Sequence, residues 1–241
     1  MNINIYFIIG AIAVVFIVYM IVLQSMMKKR KQQQLAKFSS KTPLTDEQKR
    51  ALVFGAILSY TRGEKILDTI PDRRLDEYAY GLSRQWEVTN TEEAKQTIAN
   101  LLNLKRSMEF EVVLRLSSPE LSQIQERIAK GLKLDLSTVA QTKSAYAWDT
   151  CRAVSLAKWC YWVGHITEQE AWDYINQAAD KGSELGENWT DYTVSFLLGR
   201  TIQGFDLDDV IIEAEQLVNG KGPSMRKIDG TDAYLRFPFK N

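Results

Sequence analysis

Residues 3 to 23, INIYFIIGAIAVVFIVYMIVL, form an uncharged run of 21 residues with one Asn near its start. As a helix rising about 1.5 Å per residue, the run spans roughly 31 Å, the depth of a bilayer's hydrocarbon core. Inside lipid every backbone polar group must be bonded within the segment, so one continuous helix is the only conformation such a run can adopt there. Tyr6 and Tyr19 lie near its two ends, where amphipathic rings favour the interface.

What flanks the run sets its orientation. MNIN ahead of it is uncharged, whereas Lys28, Lys29, Arg30 and Lys31 follow. A cleaved signal peptide needs the opposite arrangement, a basic start and small residues at a cleavage site. Basic residues stay on the cytoplasmic side, which predicts a single-pass anchor with its N-terminus outside and its body in the cytoplasm. The tetrabasic cluster is expected near anionic headgroups, without a specific lipid ligand. Only two cysteines in the chain agree with a reducing compartment.

Charge is segregated along the chain. Six of the 30 Lys and Arg residues precede Thr45 and no Asp or Glu does, which leaves the rest at 24 against 30, a balance of −6. A mildly acidic body argues against a surface that tracks nucleic-acid phosphates. The expected organisation is an anchor over residues 1–24, a basic and polar tether over 25–44, which could extend the membrane helix as far as Pro43, and a domain over 45–241.

That domain reads as all-α, with eight helices joined by short loops. Thr45-Asp-Glu-Gln48 and Thr167-Glu-Gln-Glu170 are capping boxes, in which side chain and backbone satisfy each other's orphan groups. Asn90 with Thr89, Ser118 before Pro119, and Thr190 are candidate helix starts. Leu75, Tyr78, Leu82 and Trp86 follow the helical period, as do Ala94, Ile98, Leu101 and Leu102. MEFEVVLRL, residues 108–116, fits both a strand's alternation and a helix, and its helical surroundings favour helix. A helix near Ser137 is expected to carry AYAWDTCRAVSLAKWCYW, residues 145–162, and to end at Gly164. The turn-rich C-terminus holds AYLRF, which predicts one short strand or a docked extension.

ALVFGAIL, LSRQWEVTNTEEA, AWDTCRAVSLAKWCYWVGHITEQEAWDYI and NWTDYTVSFLLGR together resemble the bacterial domain of unknown function 1266 family, the YbeR/YbeU-like proteins. The likeness runs from about residue 44 to 205. Its most specific blocks are A-W-D-x-x-R-A-x-x-L-A-x-W at 147–159, E-A-W at 170–172 and L-G-R at 198–200. The resemblance implies no activity to carry over. It also implies that the anchor is an addition, since many members have none.

Trp148, Arg152 and Trp159 fall on one face of the helix that contains them, and Asp149 is three residues from Arg152, within pairing distance. Arg200, at the end of another helix, could meet the same carboxylate. One reading is a charged pocket with aromatic walls for an anionic or planar ligand, in a small-molecule receptor or an enzyme. The other is a structural Asp–Arg clasp with the guanidinium stacked on indole, the expected case because buried charges are usually paired for geometry. Cys151 and Cys160 lie on opposite sides of a helix and read as core thiols. His165 is the only histidine, and no zinc-ligand spacing accompanies it. Glu168, Glu170 and Asp173 suit a helix's first turn before they suit hydrolysis. GKGPSM lacks phosphate-loop spacing, and Ser195 has no flanking glycines. The sequence therefore implies no cofactor, no metal and no catalytic set, and the balance is against an enzyme. With the resemblance, the leading expectation is a protein–protein interaction module at the bacterial inner membrane; a toxin-like cargo or its immunity partner in a bacterial conflict system is the third.

Overall fold

Caps and periodicity in the sequence translate into an almost wholly helical chain. A computed structural model describes residues 3–39, 42–116, 118–220 and 230–240, with side chains undescribed for residues 3–8 and 31. The expectations for the Lys31 side chain, for tether residues 40 and 41, and for the stretch 221–229, which holds all of GKGPSM but its first glycine, therefore lie outside the described residues. The chain divides into two units, Met1–Lys41 and Thr42–Asn241. The first contains α1 (Ile3–Phe38), which continues through the basic cluster and most of the expected tether. From Ile9 to Leu23 its side chains are all exposed. The helix is long and apolar enough to cross a membrane.

The second unit begins with α2 (Asp46–Val53), α3 (Ala56–Thr61), α4 (Leu75–Trp86), α5 (Thr91–Leu102) and α6 (Lys105–Arg115). It continues with α7 (Pro119–Leu132), α8 (Leu136–Gln141), α9 (Tyr146–Val163), α10 (Glu168–Leu185) and α11 (Trp189–Ile202), then α12 (Ile211–Asn219) and α13 (Ala233–Arg236). No strand occurs among the described residues. Both capping boxes are closed, around α2 and α10. Asn90 caps α5 and Ser118 caps α7 with Pro119 at its first position. MEFEVVLRL is the body of α6, as its neighbours favoured.

Several boundaries differ from the sequence reading. Ser137 belongs to a separate short helix, α8, and a non-helical link at 142–145 divides it from α9. Asn188 rather than Thr190 caps α11: its side chain accepts from the Asp191 N–H, and Thr190 sits inside the helix. The C-terminal AYLR is a helical turn, not a strand. Phe54 and Gly55 interrupt what reads as one helix over α2 and α3. The break between α2 and α3, the separation of α8 from α9 and the turn α13 each add a short helix to the body.

Sixteen of the 18 residues of α9 are buried. A helix with no wet face belongs at the centre of a domain, and α3, α4, α5, α6, α10 and α11 all pack on this one. Each fully buried Leu, Ile or Phe of the surrounding core, such as Leu52, Ile98 or Phe196, stabilises by about 1.5–3 kcal/mol over its exposed state. One close approach is between α9 and α11. A Cβ built on Gly199 would lie 2.4 Å from Trp148 Cβ and 2.9 Å from its Cγ, so the glycine of the L-G-R block is a contact surface. Gly199→Ala should therefore cost about 1–3 kcal/mol through overpacking, measurable in urea unfolding; an unchanged midpoint would show that α11 can shift freely.

Candidate functional site

Asp149 lies in the first turn of α9, where a carboxylate suits the positive end of the helix dipole. It is fully buried, so each of its oxygens needs a partner. Oδ2 accepts a hydrogen bond from the Ser107 backbone N–H at 2.8 Å, and Oδ1 accepts from Arg152 Nη2. Ser107 is in the first turn of α6, a helix whose N-cap residue, Leu104, has a left-handed backbone (φ 56°) and no capping side chain. Asp149 therefore caps α6 from a different helix, satisfying one of the N–H groups that every helix start leaves open. Ser107 Oγ reciprocates by donating to the Ala145 carbonyl at 2.7 Å. Ser195 Oγ of α11 accepts from the Ala147 N–H at 3.0 Å, so α9's own start is also capped from outside.

Arg152, 7% exposed, is held on all sides. Its Nε donates to the Trp148 carbonyl at 2.9 Å. Its guanidinium lies 4.2 Å from the Trp148 ring centroid and 5.7 Å from that of Trp86. Burial pulls its pKa below the ordinary arginine range while the Asp149 carboxylate pulls it back up. Trp86 in turn meets Trp159 edge-on at 6.4 Å. The Trp159 indole N–H is shared by both Glu64 oxygens at 3.2 Å, and Arg62 stacks on its ring at 4.4 Å. Alternating cations and indoles thus run along one side of α9, and Trp148, Arg152 and Trp159 are brought into line as their spacing implies.

Arg200 is not part of this set. Its Nε donates to the Asp206 carbonyl at 3.1 Å, its Nη2 lies 3.5 Å from Asp209, and its guanidinium sits 5.2 Å from the Phe205 ring. Phe205 contacts Trp148 at 5.8 Å, so one pair of rings separates Arg200 from Arg152. With both Asp149 oxygens engaged, the geometry is that of a clasp.

Sequence reasoning missed Trp86, Glu64, Ser107 and above all Lys158. Lys158 is buried; its Nζ is 3.4 Å from both Ser59 Oγ and the Lys65 carbonyl and 5.3 Å from the Trp162 ring. Burial pushes its pKa down against the pull of Glu64. The available signal was a lone charge in an apolar helical stretch. The Trp162 N–H donates to the Thr69 carbonyl at 2.6 Å, so α9 side chains pin the 62–74 loop. Cys151 and Cys160 are free and buried, and burial pushes each thiol up to about 12. No cluster of three metal-ligating side chains occurs among the described residues. His165 follows Gly164 (φ 85°) in the turn after α9, and its N–H bonds the Cys160 carbonyl.

A family model described as "Protein of unknown function (DUF1266)" matches residues 81–219. The chain belongs to that family. The DUF1266 region contains Asp149, Arg152, Trp86, Trp159 and Ser107, but neither Glu64, α1, α2 nor the residues after 219. It starts later and ends later than the span that the sequence motifs mark out. No curated protein and no solved structure matches the chain.

Two outcomes follow for the DUF1266 core. Asp149→Asn should destabilise it by about 3–5 kcal/mol, because the buried Arg152 loses its charge partner; Arg152→Lys keeps the charge but loses the bond to the Trp148 carbonyl and the stacking on its ring, and should also lower the melt. An intact melt for Arg152→Lys would revive the pocket reading. The second concerns Glu170, which receives Lys95 Nζ at 2.6 Å and the Thr167 N–H at 2.8 Å. Lys95 first, then Thr167, hold its carboxyl down at about 2, against an ordinary 4.5. A depressed carboxyl contributes stability that is complete above the unfolded value and lost as pH falls toward the folded one. Glu170→Gln should therefore flatten the loss of stability between pH 4.5 and about 2; an unaltered acid limb would contradict it.

Proposed function

We propose that the chain is a single-pass protein of a bacterial inner membrane whose residues 45–241 form a cytoplasmic helical domain that binds another protein. The observation that carries the reading is α1: residues 9–23 expose an uncharged apolar surface on every side. Such a surface is stable only in an apolar surrounding, and a bilayer supplies one over residues 3–23. Lys28, Lys29, Arg30 and Lys31 then lie among anionic headgroups on the cytoplasmic face, leaving the N-terminus outside and residues 25–44 as the tether.

Support for a protein partner comes from α6. Met108 and Val112, on successive turns of its outer side, are 62% and 65% exposed, and Leu116 just past its end is 60% exposed. Large apolar side chains left exposed close together in sequence are the kind of surface that another protein covers. Asp149 is fully buried with both oxygens engaged and Arg152 is only 7% exposed, which weighs against a receptor or enzyme centred there.

Two measurements test this. A reporter fused after Asn241 should read cytoplasm, and a periplasmic signal would overturn the orientation. Pull-down from detergent-solubilised membranes should recover a partner that Val112→Glu loses about tenfold or more, with no change in the melt because the position is exposed. Repeated recovery of no partner would sink the interaction reading.

A further inference from the structure

Residues 62–74 are tied into a loop of their own as well as to the helical body. Arg73 Nη2 donates to the Arg62 carbonyl, which draws the two ends together, and the Lys65 N–H donates to Asp72 Oδ2 at 2.8 Å. Three side chains of α9 then hold the loop down. Trp159 donates to Glu64, Trp162 donates to the Thr69 carbonyl, and Lys158 Nζ reaches the Lys65 carbonyl and Ser59 Oγ, both at 3.4 Å. Ile66, next along the loop, is completely buried. Compact loops with tied ends and few anchoring contacts are the kind of segment that opens as one cooperative unit.

Lys158 is the weak member of the three. It is 2% exposed, both of its hydrogen bonds are long, and it forms no ion pair among the described residues. A buried ammonium without a paired carboxylate costs free energy that water would relieve. The charges that act on it belong to the loop, Glu64 foremost and then Asp72 and Asp68. Arg62 is turned onto the Trp159 ring, and α3 presents only the Ser59 hydroxyl. From α4 comes Tyr78, which lies under the influence of the same Glu64 and Asp72. Burial first, and those carboxylates next, push its hydroxyl far above the ordinary range, so it keeps its proton.

We propose that the 62–74 loop is a latch worked by one proton: a protonated Lys158 favours the open loop and a neutral Lys158 the closed one. Opening uncovers Trp159 and Trp162 on α9, and neither the anchor nor the α6 surface is needed for it. In the open loop the amine meets water and has its ordinary pKa of 10.5; in the closed loop burial pulls it lower, against Glu64. The open form therefore carries more protons. Closure strengthens as pH rises toward 10.5, by about tenfold per pH unit at most.

The test is trypsin cleavage of the full-length chain in detergent from about pH 7 to 10, with each rate divided by that of a free peptide of residues 63–72. The bond after Lys65 can be cut only in an open loop, because Ile66 is buried. Cleavage after Arg152, in the middle of α9, reports unfolding of the whole domain. When opening is fast, the normalised rate after Lys65 follows the population of the open form. That rate should exceed the rate after Arg152 and fall as pH rises, by up to about tenfold per unit. Lys158→Met, which keeps the length of the side chain without its charge, should flatten the slope. Lys158→Gln should do the same if Lys158→Met fails to fold. A flat or rising profile in the unaltered chain overturns the proposal, as does a slope that survives in the neutral variants. So does a single shared rate for the two cuts, which would mean that the loop opens only when the domain unfolds.

Discussion

The Asp149 carboxylate is the point at which three parts of the domain depend on one another. It carries charge in a place with no water, a situation that costs several kcal/mol per ion unless every oxygen is bonded. One oxygen takes the Arg152 guanidinium and the other takes the N–H of Ser107. Arg152 is stacked between Trp148 and Trp86, so the pair ties α9 to α4 as well as to α6. The aspartate's specificity lies in geometry: an apolar residue of similar volume could fill the space, but it could not cap α6.

The same dependence explains what the sequence could and could not disclose. The capping boxes at Thr45 and Thr167 are local, three residues wide, and were legible. So was the end of α9 at Gly164, though not its start, and so was the pairing of Asp149 with Arg152 at a separation of three. The character of MEFEVVLRL was ambiguous because the cap that secures its helix comes from 42 residues away. Arg200 was misassigned for a related reason. Its position at the end of α11 was visible, but the turn that gives it Asp206 and Asp209 as partners was not. Lys158 passed unnoticed because composition marks a lysine as a surface residue, and only the wrapping of α9 by six other helices makes it a buried one.

The polar groups of α9 divide into two kinds. Asp149 and Arg152 are satisfied at short range and fix helix to helix. Lys158 has only long contacts at 3.4 Å, while Trp159 and Trp162 pin the 62–74 loop through Glu64 and the Thr69 carbonyl. The first kind holds the DUF1266 core together from within. The second connects that core to a segment outside the matched residues, so the loop's conformation is tied to a helix that cannot move independently.

The position of α9 in the chain has a consequence for synthesis. Its neighbours are encoded on both sides of it, α3 to α6 before and α10 and α11 after. At an elongation rate of about 5–20 residues per second, α1 leaves the ribosome roughly ten seconds or more ahead of α11. Once α9 is made, the partners of its charges, Ser107, Ser59 and the Lys65 carbonyl among them, are already in the chain, and the side that α10 and α11 cover stays open until they follow. The growing chain is therefore a species whose most apolar element is complete while its innermost one is still uncovered, and chaperones would have most reason to attend it then.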